Sequence, residues 1–189
     1  MALVLASTSL IRRQMLDEAG VQFEFVKPQV DEEDLKLGLQ SADDIASTLA
    51  SAKALSIPGE WVIGSDSVIT VDGRIFNKPL DREEAAQHLR YFSGKTMILA
   101  SAVALAHTGT VDWSCQDRAV LNVRSLSEPF ITSYLDAEWP EVGYCVGVFR
   151  MEGRGVQLFD RVEGSHFTIL GMPLIPLLGA LRERGLVPA

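Results

Sequence analysis

The sequence predicts a mixed α/β fold. Short apolar runs of strand type alternate with stripes of helical spacing, and a hairpin in the middle of the chain breaks what would otherwise be a purely parallel pattern. The third observation is size: 189 residues, 47% of them hydrophobic, suffice for one packed domain. No internal repeat, low-complexity tract or linker divides the chain, so a single domain over 1–189 is expected.

Taken in order, Ala2 to Ala6 reads as a buried strand, and Ser7-Thr8-Ser9 after it as a helix N-cap. Arg12, Met15, Leu16 and Ala19 form a helical stripe that Gly20 stops. Val21 to Val26 reads as a second strand, followed by an acidic loop, Asp31 to Asp34. Ser41-Ala42-Asp43-Asp44 resembles a capping box and opens a helix to Ile57, ended by Pro58-Gly59. Trp61 to Val71 is a strand with a turn at Asp72-Gly73, and Asp81 to Phe92 is a helix stopped by Gly94. Met97 to Ala106 and Val111 to Val123 flank His107-Thr108-Gly109-Thr110 as a hairpin. Ser127 caps a helix to Glu138, Val156 to Val162 is a strand, and Pro173 stands at the first position of a last helix closed by Gly185.

Composition removes several function classes. Hydrophobic content is too high for intrinsic disorder. No apolar run approaches the roughly 20 residues of a membrane helix; Leu170 to Leu181 is short and broken by Pro173 and Pro176. A net charge of −8 argues against binding polymeric nucleic acid, yet allows a small anion held by local cations. Cys115 and Cys145 have no zinc spacing and read as reduced thiols. With no basic, apolar leader at the start, a cytoplasmic protein is expected.

Function is sought where local rules are broken. A strand running through a hydroxyl-rich turn into a helix is a ready anion site, because free N–H groups and the positive dipole end meet there. Arg12 and Arg13 add guanidinium donors suited to phosphate; the alternative is an ordinary cap with two solvated arginines. Lys53 shares a small apolar face with Ala46, Ala50 and Ile57, so it either reaches out to water or serves a buried anion. Both cations therefore sit on apolar faces, and removing either is expected to cost little stability. Asp66 lies inside the apolar strand Trp61 to Val71, where a carboxylate needs a partner or a metal. Gly64, on the same face of that strand, is expected to leave room for a ligand. Asn77-Lys78-Pro79 adds a cation after the turn. Together these fit a polyphosphate held by cations, with carboxylates on a divalent metal. There is no P-loop, nucleophile elbow or H-E-x-x-H, and no histidine has a triad partner nearby.

The same residues carry a family resemblance. Leu5-Ala6-Ser7-Thr8-Ser9-Leu10-Ile11-Arg12-Arg13 resembles the opening motif of the Maf-like nucleoside triphosphate pyrophosphatases. Val30-Asp31-Glu32, Leu49-Ala50-Ser51-Ala52-Lys53-Ala54 and Ile63-Gly64-Ser65-Asp66-Ser67-Val68 follow in that family's order. Then come Asp72-Gly73, Lys78-Pro79, Ser93-Gly94-Lys95 and Leu170-Gly171-Met172-Pro173-Leu174. The resemblance implies an elongated mixed sheet with flanking helices, two lobes around a deep cleft, akin to inosine triphosphate pyrophosphatases, and commonly a homodimer. It implies hydrolysis of a nucleoside triphosphate to the monophosphate and pyrophosphate with Mg²⁺ or Mn²⁺. Carried over residue by residue, Asp66 would be the general base, and the catalytic Lys53 and Lys78 would help hold the phosphates. Asp31, Glu32 and Asp66 would hold the metal; Ser7, Ser9, Arg12 and Arg13 would bind the phosphates.

Within the family, the dTTP and UTP branch carries a proline and an arginine where this chain has Leu10-Ile11, a threonine at Ser67 and a glutamine at Glu152. The resemblance thus implies Ile11, Ser67 and Glu152 as the specificity positions. Glutamate in the turn Arg150-Met151-Glu152-Gly153 looks like the branch acting on 7-methyl-GTP, since a carboxylate accepts from guanine N–H groups and suits a cationic ring. The alternatives are a dTTP/UTP pyrophosphatase, a non-catalytic nucleotide-binding regulator of cell division, and an aspartate-nucleophile phosphatase. The last lacks the second aspartate two residues beyond Asp66.

Overall fold

The computed structural model describes residues 2–188. A seven-stranded mixed sheet runs β2-β1-β3-β5-β6-β7, with β4 paired to β3. The strands are β1 (Leu3–Ala6), β2 (Glu24–Val26), β3 (Trp61–Val71), β4 (Arg74–Phe76), β5 (Thr96–His107), β6 (Thr110–Val123) and β7 (Phe159–Glu163). The helices are α1 (Leu10–Glu18), α2 (Glu32–Lys36), α3 (Ala42–Leu55), α4 (Arg82–Phe92), α5 (Glu128–Glu138), α6 (His166–Ile169) and α7 (Leu174–Glu183). The chain forms two compact units: one takes residues up to Ser67, Ala100–Asp117 and Ser165 onward, the other Val68–Leu99 and Arg118–Gly164.

In the first unit β1 pairs in parallel with β2 on one side and β3 on the other, Leu5 facing Phe25 and Ile63. The strand order reverses at β1, so its carboxyl end is a topological switch point, where open α/β sheets bind ligands. All four β1 residues are buried, as the continuous apolar run requires. The core beneath gathers Leu5, Leu16, Ile63, Val103, Leu105 and Leu177. In the second unit, β3 and β4 join antiparallel through Asp72-Gly73, both at positive φ (52° and 75°), the backbone of a two-residue hairpin loop. Phe76 packs edge-on against Phe92 of α4 at 4.8 Å between ring centres.

Several elements differ from expectation. The strand after Gly20 is shorter, beginning at Glu24. The acidic run is a helical turn rather than a loop, because Asp31 caps it through Glu33 N and Asp34 N, and acidic residues in a first turn complement the helix dipole. Ser41 precedes α3 without a side-chain cap bond, so the capping box is not made. Residues 154–158 form a 3₁₀ turn, and the last strand starts only at Phe159. Gly155 explains that tight turn, since a β-carbon there would meet the backbone of Arg150. Pro173 is the N-cap of α7, not its first helical residue.

Candidate active site

Three side chains meet at β3. Lys53 Nζ lies 2.5 Å from Asp66 Oδ1 and 2.8 Å from Glu32 Oε1. Lys53 and Asp66 are buried, at 7% and 9% exposure, while Glu32 is partly open. Lys53 of α3 reaches Asp66 because α3 and β3 approach at backbone distance. A β-carbon on Gly64 would collide with the Ala50 carbonyl and the Ala54 amide. The missing side chain of Gly64 is therefore filled by α3. It leaves no room for a ligand, contrary to the sequence expectation, and the glycine serves instead to seat Lys53.

Asp66 stands between two pinned serines. Ser65 Oγ, fully buried, lies 2.8 Å from the Ala102 carbonyl and 3.1 Å from the Gly171 carbonyl. Ser67 Oγ lies 3.1 Å from the same Gly171 carbonyl and 2.7 Å from Ser101 Oγ. Alternation sends Ser65 and Ser67 to one face of β3 and leaves Asp66 and Gly64 on the face toward α3.

Arg12 sits on the serine side. Its Nε donates to Gly171 O at 2.9 Å, Nη1 to Ser65 O at 2.8 Å, and Nη2 to Ser67 Oγ at 3.1 Å. Burial lowers its pKa from the ordinary guanidinium value, while the charges of Asp66 and Glu32 act the other way. The partner that a cation on an apolar stripe needs is thus supplied by protein oxygens, which leaves two of its five N–H groups for a ligand. Ser67, expected to read the base, is committed to this same network.

At the carboxyl end of β1, Ser7 Oγ accepts from Ser9 N at 3.1 Å and Ser9 Oγ accepts from Arg12 N at 3.5 Å. Both oxygens accept, so both hydroxyl protons remain to be donated to an anion at the start of α1. Arg13 is turned elsewhere, its guanidinium 4.3 Å from the Phe25 ring centre and its Nε without a hydrogen-bond partner. Ile11 is half-buried. Asp31 spends Oδ1 on Glu33 N and Asp34 N.

In the second unit, Lys78 is exposed on the segment after β4. Burial pushes the Cys145 thiol pKa up; Glu152 adds to that rise, Lys78 and Arg150 oppose it, and Glu141 adds a smaller raising effect. Lys78 and Glu152 therefore share one electrostatic neighbourhood. Glu152 Oε1 lies 3.6 Å from Arg150 Nε, and Arg150 Nη1 lies 3.9 Å from Glu141 Oε2. Sequence reading missed Arg150 and Glu141. It also missed Ser101, because a serine in an alanine-rich strand carries no signal of its partner.

A family model described as Maf-like protein matches residues 2–184. The chain is 45% identical over 191 residues to a nucleoside triphosphate pyrophosphatase of Nitrobacter hamburgensis, covering 98% of this chain and 95% of that one. It is 42% identical over 193 residues to a 7-methyl-GTP pyrophosphatase of Rhizobium etli, covering 98% and 97%. It is 45% identical to a nucleoside triphosphate pyrophosphatase of Sphingopyxis alaskensis over the whole length of both. This α/β chain, with its acid–lysine pair beside a switch point, belongs to the Maf-like family.

Proposed function

We propose that the protein is a nucleoside triphosphate pyrophosphatase, an acid-anhydride hydrolase with 7-methyl-GTP as its preferred substrate. Water attacks the α-phosphorus, the bond between it and the α–β bridging oxygen breaks, and the monophosphate and pyrophosphate leave. The observation that carries this reading is the convergence of Asp66 and Glu32 on Lys53 in the buried wall of β3. Relatives named for this activity over nearly the full chain support it.

Asp66 takes the proton of the attacking water as general base. Lys53 holds Asp66 in place and brings positive charge toward the phosphates. Ser7 and Ser9 donate hydroxyls at the start of α1, and Arg12 keeps two N–H groups for the phosphates. By the family resemblance Lys78 would add a further cation and Glu152 would read the base.

The residues fit a divalent cation. Among the described residues no group of three or more His, Cys, Asp or Glu side chains forms a closed cage. Mg²⁺ needs none, since it commonly binds through one or two carboxylates together with substrate phosphates. Asp66 and Glu32 would hold the metal, with Asp31 next in chain. When bound, the ion would neutralise charge on the leaving pyrophosphate.

The test is incubation with a panel of nucleotides and Mg²⁺ or Mn²⁺, with identification of the products. Pyrophosphate with monophosphate is expected. Orthophosphate release, or tight binding without turnover, overturns the reading.

A further inference from the structure

We propose that Ser101 is a positioning residue for the reaction, acting through Ser67 to hold Asp66 in register with Lys53. This inference rests on Asp66 being the general base.

Among the described residues the Asp66 side chain hydrogen-bonds with Lys53 alone, yet the residues on either side of it are fixed on the opposite face. Ser65 is held by its carbonyl to Arg12 and by its hydroxyl to Ala102 O and Gly171 O. Ser67 is held by Arg12, Gly171 and Ser101. Gly171 closes the arrangement: its carbonyl accepts from Arg12 and lies within reach of both serines, at a backbone φ of 107° that favours glycine.

Ser101 is fully buried, and its hydroxyl lies 2.7 Å from Ser67 Oγ and 3.0 Å from Thr168 O. Ser67 always accepts from Arg12, because a guanidinium only donates. That leaves two hydroxyl protons for three contacts: Ser67 with Ser101, Ser67 with Gly171 O, and Ser101 with Thr168 O. Two hydroxyl oxygens 2.7 Å apart need a proton between them, so the chain runs either Ser67 to Ser101 to Thr168 O, or Ser101 to Ser67 to Gly171 O. In both directions Ser101 is half of the link, and in both the link fixes the rotamer of the residue after Asp66. A general base must be held within a few tenths of an ångström of its working position for full rate.

The experiment measures kcat and KM for the preferred triphosphate, with melting temperature, in Ser101→Ala, Ser101→Cys, Asp66→Asn and the double variant Ser101→Ala/Asp66→Asn. Ser101→Ala is expected to lower kcat about tenfold while KM stays within about twofold, because position and not affinity is lost. Ser101→Cys, a weak donor of similar shape, recovers part of the rate. In the Asp66→Asn background the Ser101 change is expected to have no further effect on kcat, since there is no base left to position. Should Ser101→Ala fail to fold, Ser67→Ala breaks the same link from its other end and enters the same cycle.

A full additive loss in the double variant, or a lowered melting temperature with unchanged kcat in the folded protein, overturns the proposal. A near-native rate in Asp66→Asn alone instead overturns the general-base reading beneath it.

Discussion

Arg12 and Lys53 look alike in sequence: each is a cation on an apolar helical face, each next to a strand that carries polar residues. In the molecule they have different partners. Arg12 sends three nitrogens to a carbonyl on the turn before α7, a carbonyl on β3 and a hydroxyl on β3, all neutral. Lys53 meets two carboxylates at 2.5 and 2.8 Å. A planar fork of diverging donors can span acceptors on separate segments, whereas a compact ammonium suits oxygens converging on one point. One cation therefore ties separate segments together, and the other is set against the two carboxylates proposed to act in the reaction. The same broken rule in the sequence has two physical outcomes, decided by which atoms the tertiary fold brings near.

The largest effect is expected at Asp66, the proposed general base. Asp66→Asn keeps the shape and can still bond to its neighbours but cannot take a proton. Turnover should fall about 10²- to 10⁴-fold with the melting temperature nearly unchanged. Steady-state kinetics beside a thermal melt decide it, and a folded variant at near-native rate removes Asp66 from the mechanism.

Gly64→Ala tests how the lysine is seated. The added β-carbon runs into the backbone of Ala50 and Ala54, which no side-chain rotation relieves. A loss of about 3 kcal/mol or more is expected, since overpacking against backbone forces α3 away from β3. Chemical denaturation measures it. An alanine tolerated at wild-type stability would show that α3 can back off freely and that the close approach does not position Lys53.

The two cations can then be exchanged in their consequences. Arg12→Ala leaves the Ser65 and Gly171 carbonyls without the donor they share, in a buried setting where a lost charge-assisted bond costs about 1.5–3 kcal/mol. A drop in melting temperature of about 5–10 °C is expected, contrary to the sequence-based expectation that removing a cation from an apolar face is harmless. Arg12→Lys should recover little, because an ammonium cannot reach three separated acceptors. Lys53→Met should show the reverse pattern. Its rate falls about 10²-fold, and its melting temperature rises more with added Mg²⁺ than wild type does, since two carboxylates without their ammonium gain most from a bound cation. If both variants lose stability alike and neither responds to Mg²⁺, the distinction between the two arginine and lysine sites is gone.

Much of this was legible in the sequence, in proportion to how local the cause is. The long strand Trp61 to Val71 and the Asp72-Gly73 turn come from an apolar run and Asx-Gly chemistry that need only neighbours in the chain, and the structure places them as read. Asp66 and Lys53 were flagged because charge on an apolar face has to be compensated somewhere. Their pairing was not legible, because it depends on Gly64 admitting α3, a contact between distant segments. The same limit hid the role of Arg12: its acceptors are main-chain carbonyls, which every residue owns and which no sequence pattern marks.

The smallest effect is expected at Glu152, in the second unit, the residue proposed to read the base. Glu152 is not a lone carboxylate: Arg150 Nε stands 3.6 Å away and is itself near Glu141. A guanidinium that close shares the charge of Glu152, so the attraction for a cationic ring is reduced and the hydrogen-bonding pattern carries more of the choice. A carboxylate accepts from the N1–H and exocyclic amine of guanine, while a pyrimidine such as thymine or uracil turns carbonyl oxygens toward it. Glu152 is exposed, so the contact is buried only by the bound base; a mismatched polar contact so buried is worth about 1–3 kcal/mol, and 7-methyl-GTP should exceed dTTP and UTP in kcat/KM by at least about tenfold. Glu152→Gln offers an amide that can donate to those carbonyls, so the margin should shrink, by about fivefold, through a gain with the pyrimidines as much as a loss with guanine. The measurement is kcat/KM for 7-methyl-GTP, GTP, dTTP, UTP and CTP in both proteins. A wild-type preference for dTTP or UTP, or a margin that ignores the change, moves base selection away from Glu152 and leaves the anhydride chemistry at Asp66 standing by itself.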